Sequence, residues 1–598
     1  MTGTVDFQPA GRRIPCEPGD TLLAAAQKAG IALNATCGGE GSCGRCIVRV
    51  MRGEASPPTL VEEAELGVER IRLGWRLACQ AEPREDLTGH LPAESLAAAQ
   101  RVQVEGRNPP FELHPALRAV QVSLPPPGLD DLRADAARLR DSLRLPGLKI
   151  PTAVLHTLSE TLRGQGFQGT AFLHGDSLAG FHPCGTTPLG LAVDLGTTKL
   201  AGYLVDLESG TTLAGAGAMN PQIAFGEDVM ARIAHAMGRP EGAEQLRLVI
   251  VEALNALALG LCEQAGRSLG HIAEAVVVGN TAMHHLFLGL PVRQLGLAPY
   301  LPAESAALDL YAREAGLELS PGARLHLLPN AAGFVGGDHL AMLLGSGMLE
   351  REGVVLGLDI GTNTEISLLA HGEHYACSTA SGPAFEGAHI RHGMRAAPGA
   401  IEKVLIREGA LRLQTIDDCP PVGLCGSGIL DLVAELRRNG LLNPRGGFVT
   451  GSGNPRLRQG AAGWEYVLAP GVDGGAEITF NRRDVNEIQL AKAAMRAGMQ
   501  VLMQRAGVRE QEIDTVILAG AFGTYLDVQS GMEIGMFPKL ARERFVQVGN
   551  AAGAGARMAL LSTEKRLQAA QAARRLTYVE LTAMKDFSAI FARALLLE

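Results

Sequence analysis

The sequence predicts a multidomain α/β protein: a small N-terminal domain around a cysteine-rich loop, a small α/β middle domain, and two similar α/β lobes flanking a cleft. Three observations carry that reading. Cys37, Cys43 and Cys46 sit in the run CGGEGSCGRC and Cys79 follows on a separate segment. Proline-rich stretches, GRNPP and SLPPPG, then break the chain. Finally, Leu191–Thr198 (LAVDLGTT) recurs 165 residues later as Leu356–Asn363 (LGLDIGTN). At 598 residues the chain exceeds what one hydrophobic core organises, so several domains are required.

Composition narrows the function classes. A hydrophobic content of 46% supplies substantial cores, while aromatics at 4% offer no evident stacking platform for bases. The net charge of −9, with no long basic run, argues against nucleic acid or an anionic membrane as partner. The densest basic stretch, Lys565 to Arg575, alternates with Ala and Gln and reads as the solvated face of a helix. The opening MTGTVDFQPAGRRIPC is strand-like rather than leader-like, and no uninterrupted apolar run has the length of a membrane span. Cys16, Cys184, Cys262, Cys377, Cys419 and Cys425 are scattered like reduced, mostly buried thiols. A cytoplasmic location is the expectation.

Residues 1–95 form the first domain. Val5–Phe7 and Arg13–Cys16 read as a hairpin, Asp20 as the N-cap of a helix over Thr21–Ala29, and Cys46–Met51 as a strand. The four cysteines follow C-x5-C-x2-C, with 32 residues between Cys46 and Cys79. A [2Fe–2S] centre takes four thiolates, typically three from one tight loop and one from a distant segment. A four-cysteine zinc site is the alternative, but it favours two C-x-x-C pairs and only Cys43/Cys46 forms one. Trp75, four residues before Cys79, reads as a shield against water rather than an electron relay. Residues 96–115 read as a linker and 116–186 as the small middle domain, with a strand at Ala119–Ser123 and helices over Leu129–Leu143 and Pro151–Arg163.

Residues 187–598 contain the repeat, in lobes that begin near 189 and 354. Each copy is an apolar strand ending in Asp-x-Gly-Thr and a second apolar strand; AVVVGN and VILAGAFG form a further matching pair. Asp-x-Gly-Thr at a hairpin turn is a phosphate-handling device. Gly196 and Gly361 permit the turn and close backbone approach, and Thr197, Thr198, Thr362 and Asn363 supply donors. Asp194 and Asp359 can hold Mg²⁺ or orient water, and Lys199 can offset phosphate charge. Glu386 has two readings, orienting catalytic water or capping the helix after it. His284, His285, His389 and His392 are candidate metal ligands that no carboxylate or cysteine pattern completes. Cys425 reads as a structural thiol at a helix start; its CGSG also resembles the cluster-ligating motif of dimeric dehydratase activators, without that motif's second cysteine.

The first domain resembles the β-grasp [2Fe–2S] ferredoxins, with the x5 gap of the adrenodoxin-like group. The repeat resembles the ASKHA superfamily of actin, sugar kinases and heat-shock ATPases. That resemblance implies ATP with Mg²⁺ as ligand, the two Asp-Gly turns as the phosphate grip, and Gly520, Ala521 and Gly523 as the adenosine turn. It further implies Gly549–Ala556 (GNAAGAGA) as a connecting helix at the hinge, with a plain Gly/Ala packing seam as the alternative. The whole combination resembles the reductive activators of corrinoid proteins, on NPQIAFGEDVMARI, VVVGNTAMHHLFLG, PNAAGFVGGDH, SGPAFEGAHIRHGM and CGSGILD. The family implies an ATP-hydrolysing activator that passes single electrons from one [2Fe–2S] cluster to a cobalt(II) corrinoid protein or methyltransferase. It also implies an upstream electron donor and a homodimer. An activator of a different metalloenzyme, an ATP-gated redox-sensing adaptor, and a small-molecule kinase stand beside that reading.

Overall fold

The computed structural model describes residues 4–8, 12–29, 31, 33, 35, 39, 41, 43–92, 95, 109–226, 228–461, 463–470 and 477–598. Cys37 and residues 96–108 of the expected linker lie outside them.

The N-terminal domain is a five-stranded mixed sheet in the order Arg12–Pro15, Thr4–Gln8, Leu87–His90, Ile47–Arg52, Trp75–Leu77. Its first helix, Leu22–Lys28, buries Leu22, Leu23, Ala25 and Ala26. Thr21, not Asp20, is the N-cap: its hydroxyl accepts from the Ala24 N–H. Asp20 is held one residue too early, by the Glu17 N–H at 2.8 Å and the Lys28 ammonium at 2.7 Å. The third strand starts at Ile47 rather than Cys46, whose carbonyl instead accepts from the Ala78 N–H and ties the cysteine loop to the Cys79 segment.

The small domain after the linker is a three-stranded antiparallel sheet, Leu117–Ser123, Gln168–His174 and Ser177–His182, covered by helices Asp135–Leu143 and Thr152–Gly164. The first helix begins later than its periodicity suggested. Leu129 and Leu132 are exposed, and Asp131 draws the chain into a turn by binding Arg133 and Arg138.

Each lobe is built on a six-stranded sheet. The first runs Thr212–Met219, Lys199–Asp206, Leu189–Leu195, Ile272–Gly279, Arg324–Leu327, Leu308–Tyr311. The second runs Phe545–Gly549, Thr515–Ala519, Val355–Ile360, Thr364–Ala370, Glu373–Thr379, Leu576–Tyr578. In both, a hairpin is flanked by a parallel strand from far along the chain, at Ile272–Gly279 and at Thr515–Ala519. The duplicated sequence is therefore a duplicated structure.

Two helices cross between the sheets, Gly337–Gly345 and Ala551–Leu561. A Cβ on Gly555 would lie 1.8 Å from the Ala341 carbonyl oxygen, and one on Gly345 would lie 2.1 Å from that of Ala551. The GNAAGAGA stretch is thus a close crossing between the lobes, and glycine is what lets the backbones meet. One helix departs from the sequence reading of membrane spans: Gly242–Ala265 is long and apolar enough to cross a bilayer. In the fold its Leu246, Ile250, Leu254, Leu257 and Leu261 join the core of the first lobe.

Candidate functional site

The two repeated turns face each other across the cleft between the lobes. Leu189–Leu195 delivers Asp194 and turns through Gly196–Thr198; Val355–Ile360 delivers Asp359 and turns through Gly361–Asn363. A Cβ on Gly196 would meet the Lys199 carbonyl at 2.5 Å, so the first turn needs glycine. The hydroxyls of Thr198 and Thr362 touch at 3.0 Å, bridging the lobes. Together these residues line a cavity of about 300 Å³ that also contains Lys199, Asp338, Glu365, Glu386, Gly520 and Phe522.

Three asparagines hold the turns, each by the same device. Asn220, Asn280 and Asn550 are helix N-caps whose side-chain oxygens accept helix N–H groups. The other half of each amide points at the site: Asn220 donates to the Gly196 carbonyl (2.9 Å), Asn280 to the Thr197 hydroxyl (2.9 Å) and Asn550 to Asp194 Oδ2 (3.0 Å). The buried Arg232 guanidinium donates to the Thr197 carbonyl at 2.5 Å.

Four carboxylates share the floor. Burial pushes Asp194 up to about 6. Burial and then the Asp194 charge push Asp359 to about 7; burial and the charges of Asp194 and Asp359 push Asp338 to about 8. Glu365, which faces Asp359 across the second hairpin, is raised by burial and by Asp338 and Asp359. Burial lowers Lys199, with Glu386 pulling the other way. Like charges that cannot all ionise together are a donor set for a hard cation. Among the described residues no three His, Cys, Asp or Glu side chains converge as an all-protein cage would require.

Glu386 ends the short turn Pro383–Glu386, and its Oε1 accepts the Thr362 hydroxyl at 3.0 Å. No helix follows it, so the capping reading falls. Gly520 starts helix Gly520–Tyr525 at φ 87°, and a Cβ there would lie 2.5 Å from the Ile360 carbonyl. The expected glycine turn is thus the first turn of a helix. Gly523 sits inside it with its carbonyl taken by Gln547 (2.8 Å), and the side chain of Ala521 lies outside the described residues. Phe522 stacks on Phe385 at 4.7 Å on the cleft wall.

In the N-terminal domain Cys46 and Cys79 are buried and Cys43 is half-buried. Gly39, Gly41 and Gly44 take φ of 100°, 84° and 61°, the left-handed backbone that winds a loop around a bound group. Gln80 Nε2 lies 3.7 Å from Cys79 Sγ, placed to donate to a thiolate. The described part of this loop fits an iron–sulfur centre, with Cys37 outside it. The guanidiniums of Arg49 and Arg70 each lie 5.6 Å from the Trp75 ring centroid.

The remaining candidates are structural. His284 and His285 are buried with Nδ1 atoms 3.2 Å apart, and His285 Nε2 accepts from the Ala303 N–H. Burial and Arg391 hold His392 down to about 4. His389 lies in the same loop at φ 60°. Cys425 is the buried N-cap of helix Gly426–Arg438, its thiol 3.4 Å from the Ile401 carbonyl and raised by burial.

Known family models account for most of the chain. The 2Fe-2S iron-sulfur cluster binding domain matches residues 5–84, the RACo linker region 106–187, the RACo middle region 189–351, and the C-terminal domain of RACo, the ASKHA domain, 353–598. The corrinoid activation enzyme RamQ of Eubacterium limosum is 32% identical over 554 residues, spanning 90% of this chain and 89% of that protein. The [Co(II) methylated amine-specific corrinoid protein] reductase of Methanosarcina barkeri is 26% identical over 419 residues, 65% of this chain and 73% of that one. The solved structure of a reductive activator for corrinoid, iron-sulfur protein superposes with a TM-score of 0.73 at 35% identity, covering 100% of this chain and 98% of its own.

Proposed function

The chain belongs to the RACo family, the reductive activators of corrinoid proteins, and from that premise we propose that it uses ATP to return an inactive cobalt(II) corrinoid protein to cobalt(I). The observation that carries the reading is the union, in one chain, of a cysteine loop suited to iron–sulfur and a cleft with two opposed phosphate turns. When bound, a [2Fe–2S] group supplies one electron at a time, the stoichiometry that cobalt(II) needs to become cobalt(I).

The residues divide the work. Thr197, Thr198, Thr362, Asn363 and the turn backbones donate to phosphate oxygens, and Lys199 offsets their charge. Asp194 and Asp359, backed by Asp338 and Glu365, would hold Mg²⁺, which would offset the phosphate charge. Glu386, at the edge of the second turn, orients the attacking water. Gly520 and Phe522 line the part of the cleft where adenosine would lie, Phe522 as an apolar wall. Because the ligand touches both lobes, its binding and hydrolysis bias their relative position, and a few kcal/mol of differential binding changes a two-state population by orders of magnitude.

The test is anaerobic spectroscopy of a cobalt(II) corrinoid protein mixed with the reduced protein, with ATP or a non-hydrolysable analogue. ATP-dependent growth of the cobalt(I) band, absent in Cys46→Ser, is the expected result. An intact cluster and measurable ATPase activity without cobalt(I) would overturn the proposal and favour the redox-gated adaptor.

A further inference from the structure

One side chain pins the cysteine loop to the loop beside the phosphate turns. Arg45, between Cys43 and Cys46, donates to the carbonyls of Gly393 (2.6 Å), Gly387 (2.6 Å) and Ile390 (2.7 Å). These acceptors are backbone groups brought together by a strained path. Gly387 sits at φ 82° and His389 at φ 60°, and a Cβ on Gly393 would lie 2.4 Å from the Gly387 carbonyl. A guanidinium is the cation whose planar, multiple donors fit several oxygens at once. Charge-assisted bonds of this kind are about twice as strong as neutral ones.

The same loop is wired to the cleft. Gly387 follows Glu386; Glu386 accepts the Thr362 hydroxyl; and Thr362 touches Thr198 of the opposite lobe. Three hydrogen-bonded links thus separate the first phosphate turn from the residue between two cluster cysteines. We propose that the loop 387–393 is the docking surface for the cluster-bearing domain of this same chain, and that nucleotide phosphate in the cleft weakens the docking. The proposal rests on the nucleotide reading of the turns.

The direction follows from the inventory of donors. A threonine hydroxyl carries one hydrogen, so Thr362 cannot donate to a phosphate oxygen and to Glu386 together. A phosphate between the turns takes that hydrogen, and its negative charge repels the released Glu386 carboxylate. The Pro383–Glu386 turn loses its tether, and the carbonyl cradle one residue further on loses its fixed shape. The cysteine loop then detaches and is exposed to a partner. Coupling of this sort is reciprocal, so removing Arg45 must tighten nucleotide binding. That sign is opposite to the effect of general damage.

The experiment uses the full-length, cluster-loaded protein. Calorimetry measures the affinity for AMPPNP with Mg²⁺, and bleaching of the visible absorbance by an iron chelator measures access to the cysteine loop. Arg45→Gln is expected to bind AMPPNP about fivefold tighter or more, the lower end of ordinary coupling. Arg45→Lys, which keeps the charge but not the fork, should fall between. AMPPNP should accelerate bleaching of the wild type and leave Arg45→Gln unchanged. Equal or weaker affinity in Arg45→Gln, or nucleotide-independent bleaching in a wild type that binds AMPPNP, would overturn the coupling. A wild type that binds no AMPPNP would overturn the nucleotide reading itself, and the coupling with it.

Discussion

Replacing Asp359 by asparagine should stabilise the protein at alkaline pH while destroying its grip on Mg²⁺-nucleotide. Burial and the neighbouring Asp194 push Asp359 to about 7. Against an ordinary aspartate near 3.9 that is about three units, or about 4 kcal/mol at 1.36 kcal/mol per unit. The native state holds this proton more tightly than the unfolded chain. The contribution to stability is therefore fully present below about pH 4 and lost as pH rises towards 7. Asparagine does not titrate. Part of the cost is shared with Asp194 and Asp338, whose protons come off in steps that belong to the group. The net gain in Asp359→Asn should thus be about 2 kcal/mol at pH 8 and near zero at pH 4. The chain has two tryptophans, Trp75 and Trp464, one in the cysteine domain and one in the second lobe. In a Trp75→Phe background, urea unfolding followed by Trp464 fluorescence, in buffer without divalent cations, isolates the relevant transition. Added Mg²⁺ and AMPPNP should raise the wild-type midpoint and leave the variant's in place. Identical pH profiles for the two proteins, or a variant less stable at pH 8, would refute the account of the carboxylate cluster.

Two further outcomes follow from packing. In Gly555→Ala the new Cβ starts 1.8 Å from the Ala341 carbonyl oxygen, so the crossing helices must separate. Overpacking of this kind costs about 1–3 kcal/mol or more, and an unchanged Trp464 midpoint would show that the crossing is looser than described. Glu62 is buried against Arg76 at 2.8 Å, caps its own helix, and accepts the Leu77 N–H. Glu62→Ala leaves Arg76 buried and unpaired, at about 3–5 kcal/mol, and should lower the temperature at which the visible absorbance is lost; the wild-type temperature would contradict it.

The parts legible in the sequence are those encoded by neighbours along the chain. A Gly between an Asp and a Thr makes a tight turn wherever it lands, and two copies 165 residues apart imply two lobes before any contact is known. Strand and helix edges slipped by a residue or more where a competing side chain intervened, as Thr21 and Asp131 did. What stayed hidden depends on register. Glu365 reaches the carboxylate cluster only because the second hairpin sets it opposite Asp359. Asp338 reaches it because its helix begins at the lobe crossing; its one local signal was an acid directly after Gly336–Gly337. Asn220, Asn280 and Asn550 each look like an ordinary N-cap, and their second role appears only when the free half of the amide meets a turn.

Arg45 belongs to that hidden class. Nothing beside it in CGGEGSCGRC marks it, and its acceptors are backbone carbonyls more than 340 positions away. The consequence reaches beyond prediction. A carbonyl cradle depends on the path of the chain rather than on its side chains, so substitutions around 387–393 that keep the path keep the dock. Substitutions that alter Gly387 or Gly393 break it without touching the cleft. The coupling between a phosphate turn and a redox loop thus runs through the Thr362–Glu386 tether into a cradle whose shape two glycines set, and only the geometry of the folded chain exposes it.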